Sequence, residues 1–168
     1  NVLVGAIDEI TPNSHAIQQR LGLLRGIQAG EGAQFFLLGR EATESTLAEL
    51  AGISTFIHAN STQEVAEKVH CFLQSNRLTA GQIDWFVTGK NGNSKEDTLY
   101  TDLENDLFPT ATCSIFKNEC GEYPTASSFA LWKVAKTFEE NLNPGRTVLI
   151  YNHYHSINHS LILIRKRQ

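Results

Sequence analysis

The residues best suited to chemistry fall into three groups. His153, His155 and His159 lie close together, and the first two could share one strand face and so approach a metal ion. No cysteine or carboxylate neighbours complete a ligand set there, so ordinary loop histidines are the expectation and no metal is assigned. Cys71, Cys113 and Cys120 are an odd set without the close paired spacing of a zinc site, which makes them free or buried thiols. Lys117 stands near Glu119 and Glu122 and either orients a neighbouring group or forms a structural ion pair. Gly30-Glu31-Gly32 is too short for a phosphate loop, and no cofactor site is expected.

The elements that must position these residues follow from periodicity. Asn1–Ile7 reads as a strand, and Thr11-Pro12-Asn13-Ser14 supplies turn and cap chemistry before a helix over Ala16–Leu24. Glu31–Leu38 suits a buried strand and Ser45–Ala51 a short helix. Strand and helix then alternate: Ile53–Ala59, a helix over Thr62–Ser75 with Val65, Val69 and Phe72 on one face, and Ile83–Thr88. A helix over Glu96–Leu107 carries Leu99, Leu103 and Leu107, and Thr112–Phe116 is a short strand. The long helix Thr125–Glu140 places Phe129, Trp132 and Ala135 in a buried stripe, with Phe138 also in the core. Arg146–Tyr151 and Ser160–Ile164 form a strand pair around the polar loop Asn152–His159. This alternation implies an α/β layered fold around a largely buried sheet.

Composition narrows the classes. At 168 residues, 41% hydrophobic and 19% charged, the chain is ordinary globular material with one core. A net charge of -4, with one basic cluster at Arg165-Lys166-Arg167, argues against nucleic-acid binding. No apolar run reaches the roughly 18 residues that span a bilayer, so a cytoplasmic protein without a membrane partner is expected. Methionine is absent, so Asn1 is not an initiator residue and an upstream segment is expected.

Four segments, in order, resemble the β-ketoacyl-acyl-carrier-protein synthases of the thiolase-like superfamily. Leu3–Glu9 (LVGAIDE) resembles the strand after that family's active-site helix, and Gly30–Leu38 (GEGAQFFLL) its next strand, usually written Gly-Glu-Gly-Ala. Ile83–Gly92, followed by Asp97 and Glu104, sits where the family has a strand ending in His-Gly-Thr; Gly89 occupies the place of that histidine. Ser114–Glu122 resembles a Ser-x-x-Lys…Gly-His segment, with Lys117 and Gly121 kept and Glu122 in place of the second histidine. The terminal strand pair with Asn158 resembles the family's glycine-rich loop and last strand, with His153-Tyr154-His155-Ser156 replacing glycines.

The resemblance implies a thiolase-like layered α/β fold in which residues 1–52 are closing segments of the first half and residues 53–168 are the second half. It implies chemistry by a cysteine nucleophile and two histidines, none of which this chain carries in the matching places. No catalytic residue is therefore intact, and the degenerate acyl-site positions are Gly89, Lys117, Glu122, Tyr154 and His155. These five are expected to converge, with Tyr154 and His155 filling space that a working enzyme keeps for an acyl chain. Ala126, Ser127, Ser128 and Ala130 are expected to let the long helix approach its neighbours closely.

The leading expectation is a non-catalytic subunit, similar to chain-length-factor partners of type II polyketide and polyene systems. Its partners would be the remaining first half of the same protein, an active β-ketoacyl synthase subunit or a second copy, and acyl carrier protein. Two alternatives stand beside it. One is a divergent 3-oxoacyl-acyl-carrier-protein synthase or acyltransferase whose nucleophilic cysteine lies upstream; the other is a stand-alone acyl or carrier-protein binding module.

Overall fold

A computed structural model describes residues 1–59, 61–142 and 145–167, and its strands fall into two sheets. The smaller is an antiparallel pair, β1 (Val2–Asp8) and β2 (Gly32–Leu38), joined through α1 (Pro12–Arg20). The larger has the order β3-β7-β6-β4-β5, with β3 at Ala48–Ile57, β4 at Trp85–Thr88, β5 at Thr112–Ile115, β6 at Thr147–Tyr154 and β7 at Asn158–Lys166. In it β4 is parallel to β5 and β6, while β7 is antiparallel to β6 and β3.

Period-two alternation on the central strands divides the core into two layers. Phe86, Leu149, Tyr151, Leu161 and Leu163 face α2 (Thr62–Ser75) and α3 (Ser94–Asp106), where Val65, Val69, Phe72, Tyr100 and Leu103 meet them. Trp85, Val87, Val148, Ile150, Ile162 and Ile164 pack on the opposite side against α5 (Ala126–Glu139). Strands buried on both faces explain the unbroken apolar runs Val148–Tyr151 and Leu161–Ile164. No helix among the described residues is long and apolar enough to cross a membrane.

The helix over Thr62–Ser75 stands where the sequence places it, with the Ser61 hydroxyl accepting from the Glu64 amide at its start. Other elements differ. The first helix begins at Pro12, because the Thr11 side chain caps it and proline at the first position fits its φ, and it ends by Arg20, short of the expected Leu24. Ser45–Ala51 is not a helix: from Ala48 the chain is strand, paired with β7 from Ala48↔Lys166 to Ile57↔Asn158 with an irregularity between Leu50 and Gly52. There the edge of the sheet overrides local helix propensity, with Ala48 and Leu50 packed on the α5 side of the core.

The long helix buries a different stripe from the expected Phe129, Trp132 and Ala135. Ala126, Ala130, Val134 and Phe138, four apart, face the sheet, whereas Trp132 is 44% exposed beside Phe129. The small residues do allow close approach, as the Ser128 hydroxyl donates to Gln34 of β2 at 2.6 Å and the Ser127 and Ser160 hydroxyls pair at 3.1 Å. Asp8 of β1 accepts from the amide and hydroxyl of Thr125 at the start of α5. One face of the small sheet is thus tied to the helix. Strand β2 is not buried as expected, because the other face displays Leu3, Ile7, Phe35 and Leu37 at 58–70% exposure. The three cysteines are free; Cys71 and Cys113 are exposed and Cys120 is half-buried.

The expected polar loop Asn152–His159 is mostly strand. Strands β6 and β7 run up to a tight turn in which His155 and Ser156 both have φ of 52° and the Ile157 amide donates to the Tyr154 carbonyl at 3.2 Å. Two consecutive left-handed residues suit the twist of a hairpin, but glycine or asparagine normally takes them. Ser156→Gly should relieve that strain and raise stability by about 0.5–1 kcal/mol, a rise of about 2–3 °C in melting temperature. Calorimetry on the two proteins reads this directly, and an unchanged or lower midpoint would show that the turn holds no strain.

Candidate functional site

Strand β4 continues into Gly89, whose amide donates to the Tyr151 carbonyl at 3.1 Å. A Cβ added there would lie 2.1 Å from Asn152 Oδ1 and 2.8 Å from the Tyr100 hydroxyl oxygen. The space that a side chain at this position would need is therefore filled, from β6 and from α3. Asn152 is held in place by a hydrogen bond from its Nδ2 to the Ser127 hydroxyl at 2.9 Å.

Strand β5 leads through Phe116 into the short helix α4 (Lys117–Cys120). Lys117 is 4% exposed, and its ammonium donates to Glu122 Oε2 at 2.8 Å and to the His153 carbonyl at 3.1 Å. The same Glu122 oxygen accepts from Asn91 Nδ2 at 2.7 Å, while Oε1 has no partner among the described residues. Glu119, the other candidate partner for Lys117, pairs with Lys133 instead. Burial pushes the Lys117 pKa down, and the charge of Glu122 opposes that shift.

The backbone beneath Glu122 is clamped from the segment that leads into β2. Its amide donates to the Gln28 carbonyl at 2.8 Å, and the Gly30 amide donates to its carbonyl at 3.0 Å. A Cβ on Gly30 would stand 1.9 Å from the Cys120 carbonyl oxygen, and Gly121 adopts φ of +75°. Both glycines are needed for this crossing, which brings the Gln28–Gly30 and Cys120–Glu122 segments together. Burial raises the Cys120 pKa to about 11, so it stays a neutral thiol.

His153 lies behind this cluster, 2% exposed, its amide donating to the Tyr100 hydroxyl oxygen at 2.9 Å and its ring stacked on Tyr100 at 4.8 Å between centroids. Its Nδ1 accepts from the Ser156 amide at 3.3 Å, across the hairpin turn. Burial first, and then the charge of Lys117, lower its pKa to about 3. Tyr154 is half-buried, with its pKa raised by burial and then by the charges of Glu122 and Asp8; His155 packs edge-on against it at 4.1 Å. Gly89, Lys117 and Glu122 are thus brought together with Tyr154 beside them, and His155 joins through Tyr154.

Sequence reasoning missed Asn91, Tyr100, Asn152 and His153 as parts of this cluster. Tyr100 carried a usable signal, since it lies three residues before Leu103 and completes the buried face of α3. The two asparagines carried none. Chemically, the cluster pairs the Lys117 ammonium with one oxygen of the Glu122 carboxylate, and its imidazole is committed to the turn. Among the described residues no group of three or more His, Cys, Asp or Glu side chains is placed to hold a metal ion.

No protein-family model and no curated protein matches the chain. Solved structures do. The ishigamide ketosynthase/chain length factor superposes over 99% of this chain and 49% of its own, with a TM-score of 0.76 at 18% identity. The structure of a type II polyketide acyl-carrier protein in complex with its ketosynthase bound to the hexaketide gives 0.77 at 14% identity, over 99% and 56%. A ketosynthase from the bacillaene synthase of Bacillus subtilis gives 0.78 at 12% identity, over 99% and 42%. The chain has a thiolase-like ketosynthase fold. It spans about half the length of these ketosynthase chains. In this chain the ends of β4 and β6, the β5–α4 connection and the β6–β7 turn lie at one end of the five-stranded sheet, and the cluster around Lys117 forms there.

Proposed function

We propose that the chain is the closing part of a β-ketoacyl synthase-like protein of fatty-acid or polyketide type, and that it serves as a non-catalytic partner of an active condensing enzyme. The observation that carries this reading is the filled space at Gly89. Asn152 and Tyr100 occupy the volume an imidazole would need, and the neighbouring Glu122 is locked to Lys117 and Asn91. The Glu122 Oε2 that meets Lys117 and Asn91 is committed to those two donors, so it does not replace the imidazole donor that the family's chemistry needs. Loss of both histidine positions leaves the fold with a scaffold role.

In this reading β1 and β2 are closing strands of the first half and the five-stranded sheet is the second, with β3 straddling the boundary expected at residue 52. The unpaired edges of the two-stranded sheet and its apolar face of Leu3, Ile7, Phe35 and Leu37 are covered by further strands and helices of the same polypeptide. The partners are an active synthase subunit and an acyl carrier protein.

The test is to purify the complete protein alone and with an active β-ketoacyl synthase, and to follow release of carbon dioxide from malonyl-carrier protein together with condensed product. The expected result is neither product from the protein alone, and condensation in the pair. Condensation by the protein alone overturns the proposal.

A further inference from the structure

Lys117, Glu122 and Asn91 meet on a single oxygen atom. Glu122 Oε2 accepts from Lys117 Nζ at 2.8 Å and from Asn91 Nδ2 at 2.7 Å, so the amine and the side-chain amide lie no more than two hydrogen-bond lengths apart. Water is kept from the ion pair, whose side chains are 0% and 3% exposed. The Phe116 ring stands 5.9 Å from Nζ, and the His153 carbonyl accepts from the same nitrogen at 3.1 Å.

Each part has the character that exchange of one amide for another needs. Burial lowers the Lys117 pKa against the opposing charge of Glu122, which eases passage of a proton from Nζ to the carboxylate and leaves a neutral, nucleophilic amine. Glu122 Oε1 is buried and receives no hydrogen bond among the described residues, so nothing there holds the carboxylate in its charged form. The Asn91 carbonyl oxygen accepts from the Asn93 amide at 3.0 Å, so a backbone N–H already faces the atom on which negative charge would develop. Asn91 is itself fixed through its own amide, which donates to Asp97 Oδ1 at 3.0 Å. The amide of Gly92, which competes for the same carbon in any Asn-Gly pair, is held by Asp97 Oδ2 at 3.0 Å.

We propose that Lys117 and Asn91 become joined by an intramolecular isopeptide bond, with Glu122 as the proton carrier. Nζ passes a proton to Glu122 Oε2 and attacks Asn91 Cγ, and the carbonyl electron pair moves onto Oδ1 beside the Asn93 amide. Glu122 gives its proton to Nδ2 and takes another from Nζ. The Cγ–Nδ2 bond then breaks, ammonia leaves with the proton left on Glu122, and the Nζ–Cγ amide remains. The ion pair is the precursor of this state, and a turn of the Lys117 stem brings Nζ onto Cγ. The bond ties the segment after β4 to α4 and closes the stretch that holds α3 and β5 into a covalent loop.

The test is intact-mass spectrometry of the complete protein, fresh and after ageing in neutral buffer, followed by denaturation and tryptic digestion. The expected result is a mass lower by one ammonia in a fraction that grows with time, and a branched peptide in which Asn91–Lys95 hangs from an uncleaved Lys117. Lys117→Arg keeps a cation against Glu122 but has no amine, and it should hold its full mass. Glu122→Gln lacks the proton carrier and should react at least about a hundredfold more slowly; an equal rate overturns Glu122 as the carrier. A wild-type protein that keeps its full mass on ageing overturns the bond. So does loss of ammonia without the branched peptide, or equal loss from Lys117→Arg, because either result means that the Gly92 amide attacked Asn91 and formed a cyclic imide. The wild-type peptide decides the matter even where a variant fails to fold.

Discussion

Lys117→Met is expected to cost about 3–5 kcal/mol of folding stability, the toll of leaving a buried carboxylate without its counter-charge. The Lys117 and Glu122 side chains are 0% and 3% exposed, so water cannot replace the lost ammonium. The Asn91 amide alone would face Glu122, and the His153 carbonyl would lose a donor as well. Glu122→Leu should be comparably damaging, because it strands the ammonium. The double variant Lys117→Met/Glu122→Leu removes both charges and should recover most of the loss, ending about 1–2 kcal/mol below wild type for the unpaired Asn91 and His153 groups. Urea unfolding of the four proteins measures this. Single variants within about 1 kcal/mol of wild type would mean that the pair is hydrated and the cluster open. The outcome bears on function too, since an ion pair that can be replaced by apolar residues without loss of partner activity is a structural plug.

Much of the fold was legible because the second half of the chain repeats a strong local pattern. Val65, Val69 and Phe72 mark the buried face of α2, and the runs Val148–Tyr151 and Leu161–Ile164 mark strands buried on both faces. Misreadings arose where tertiary context decides. Ser45–Ala51 has helical composition, yet Ala48–Ala51 lies in a strand because the open edge of β7 offers its hydrogen bonds there. Trp132 reads as core by size and spacing, but the stripe that meets the sheet is made of smaller residues, Ala126, Ala130 and Val134, which let the helix lie closer. The Asn152–His159 segment reads as loop because it is polar, whereas its backbone is paired across a hairpin, His153 with His159 and Tyr154 with Asn158.

The candidate site was legible in part for a different reason. Gly89, Lys117 and Glu122 stand out against the resemblance by what they replace or keep. The partners that give them meaning are separated by long stretches of sequence: Asn152 fills the space at Gly89 from 63 residues away, and the Gln28–Gly30 backbone fixes Glu122 from the segment ahead of β2. His159 was grouped with His153 and His155 by proximity in sequence. The three differ in structure: the His153 ring stacks on Tyr100 while its carbonyl meets Lys117, His155 sits in the turn, and His159 stacks on Phe56 beside Tyr151.

The second large effect is expected in acid. The His153 pKa is lowered from 6.5 to about 3, and that of His159 is lowered as well, so the unfolded chain takes up protons at a pH where the folded chain does not. The contribution of His153 is complete above its unfolded pKa of 6.5 and is lost as pH falls toward 3. Each such proton costs about 1.4 kcal/mol per pH unit, so His153 alone should remove roughly 3 kcal/mol by about pH 4. Burial is the main cause of that shift, and the groups facing the ring add to it. Tyr100 covers one side, the Ser156 amide donates to Nδ1, and the charge of Lys117 with the nearby His159 and His155 disfavours an imidazolium, against the Glu96 backbone, which favours it. His153→Phe keeps a ring on Tyr100 and cannot titrate. The slope of unfolding free energy against pH between about pH 6 and 4 should therefore fall by close to one proton in the variant, even though its stability at neutral pH drops through loss of the Ser156 contact. The same carboxylates titrate in both proteins, so they cancel in the comparison. Equal slopes, or a His153 ring whose resonances titrate near pH 6 in the folded protein, would show that the ring is hydrated and that the packed cluster of Lys117, Glu122 and His153 does not persist in solution.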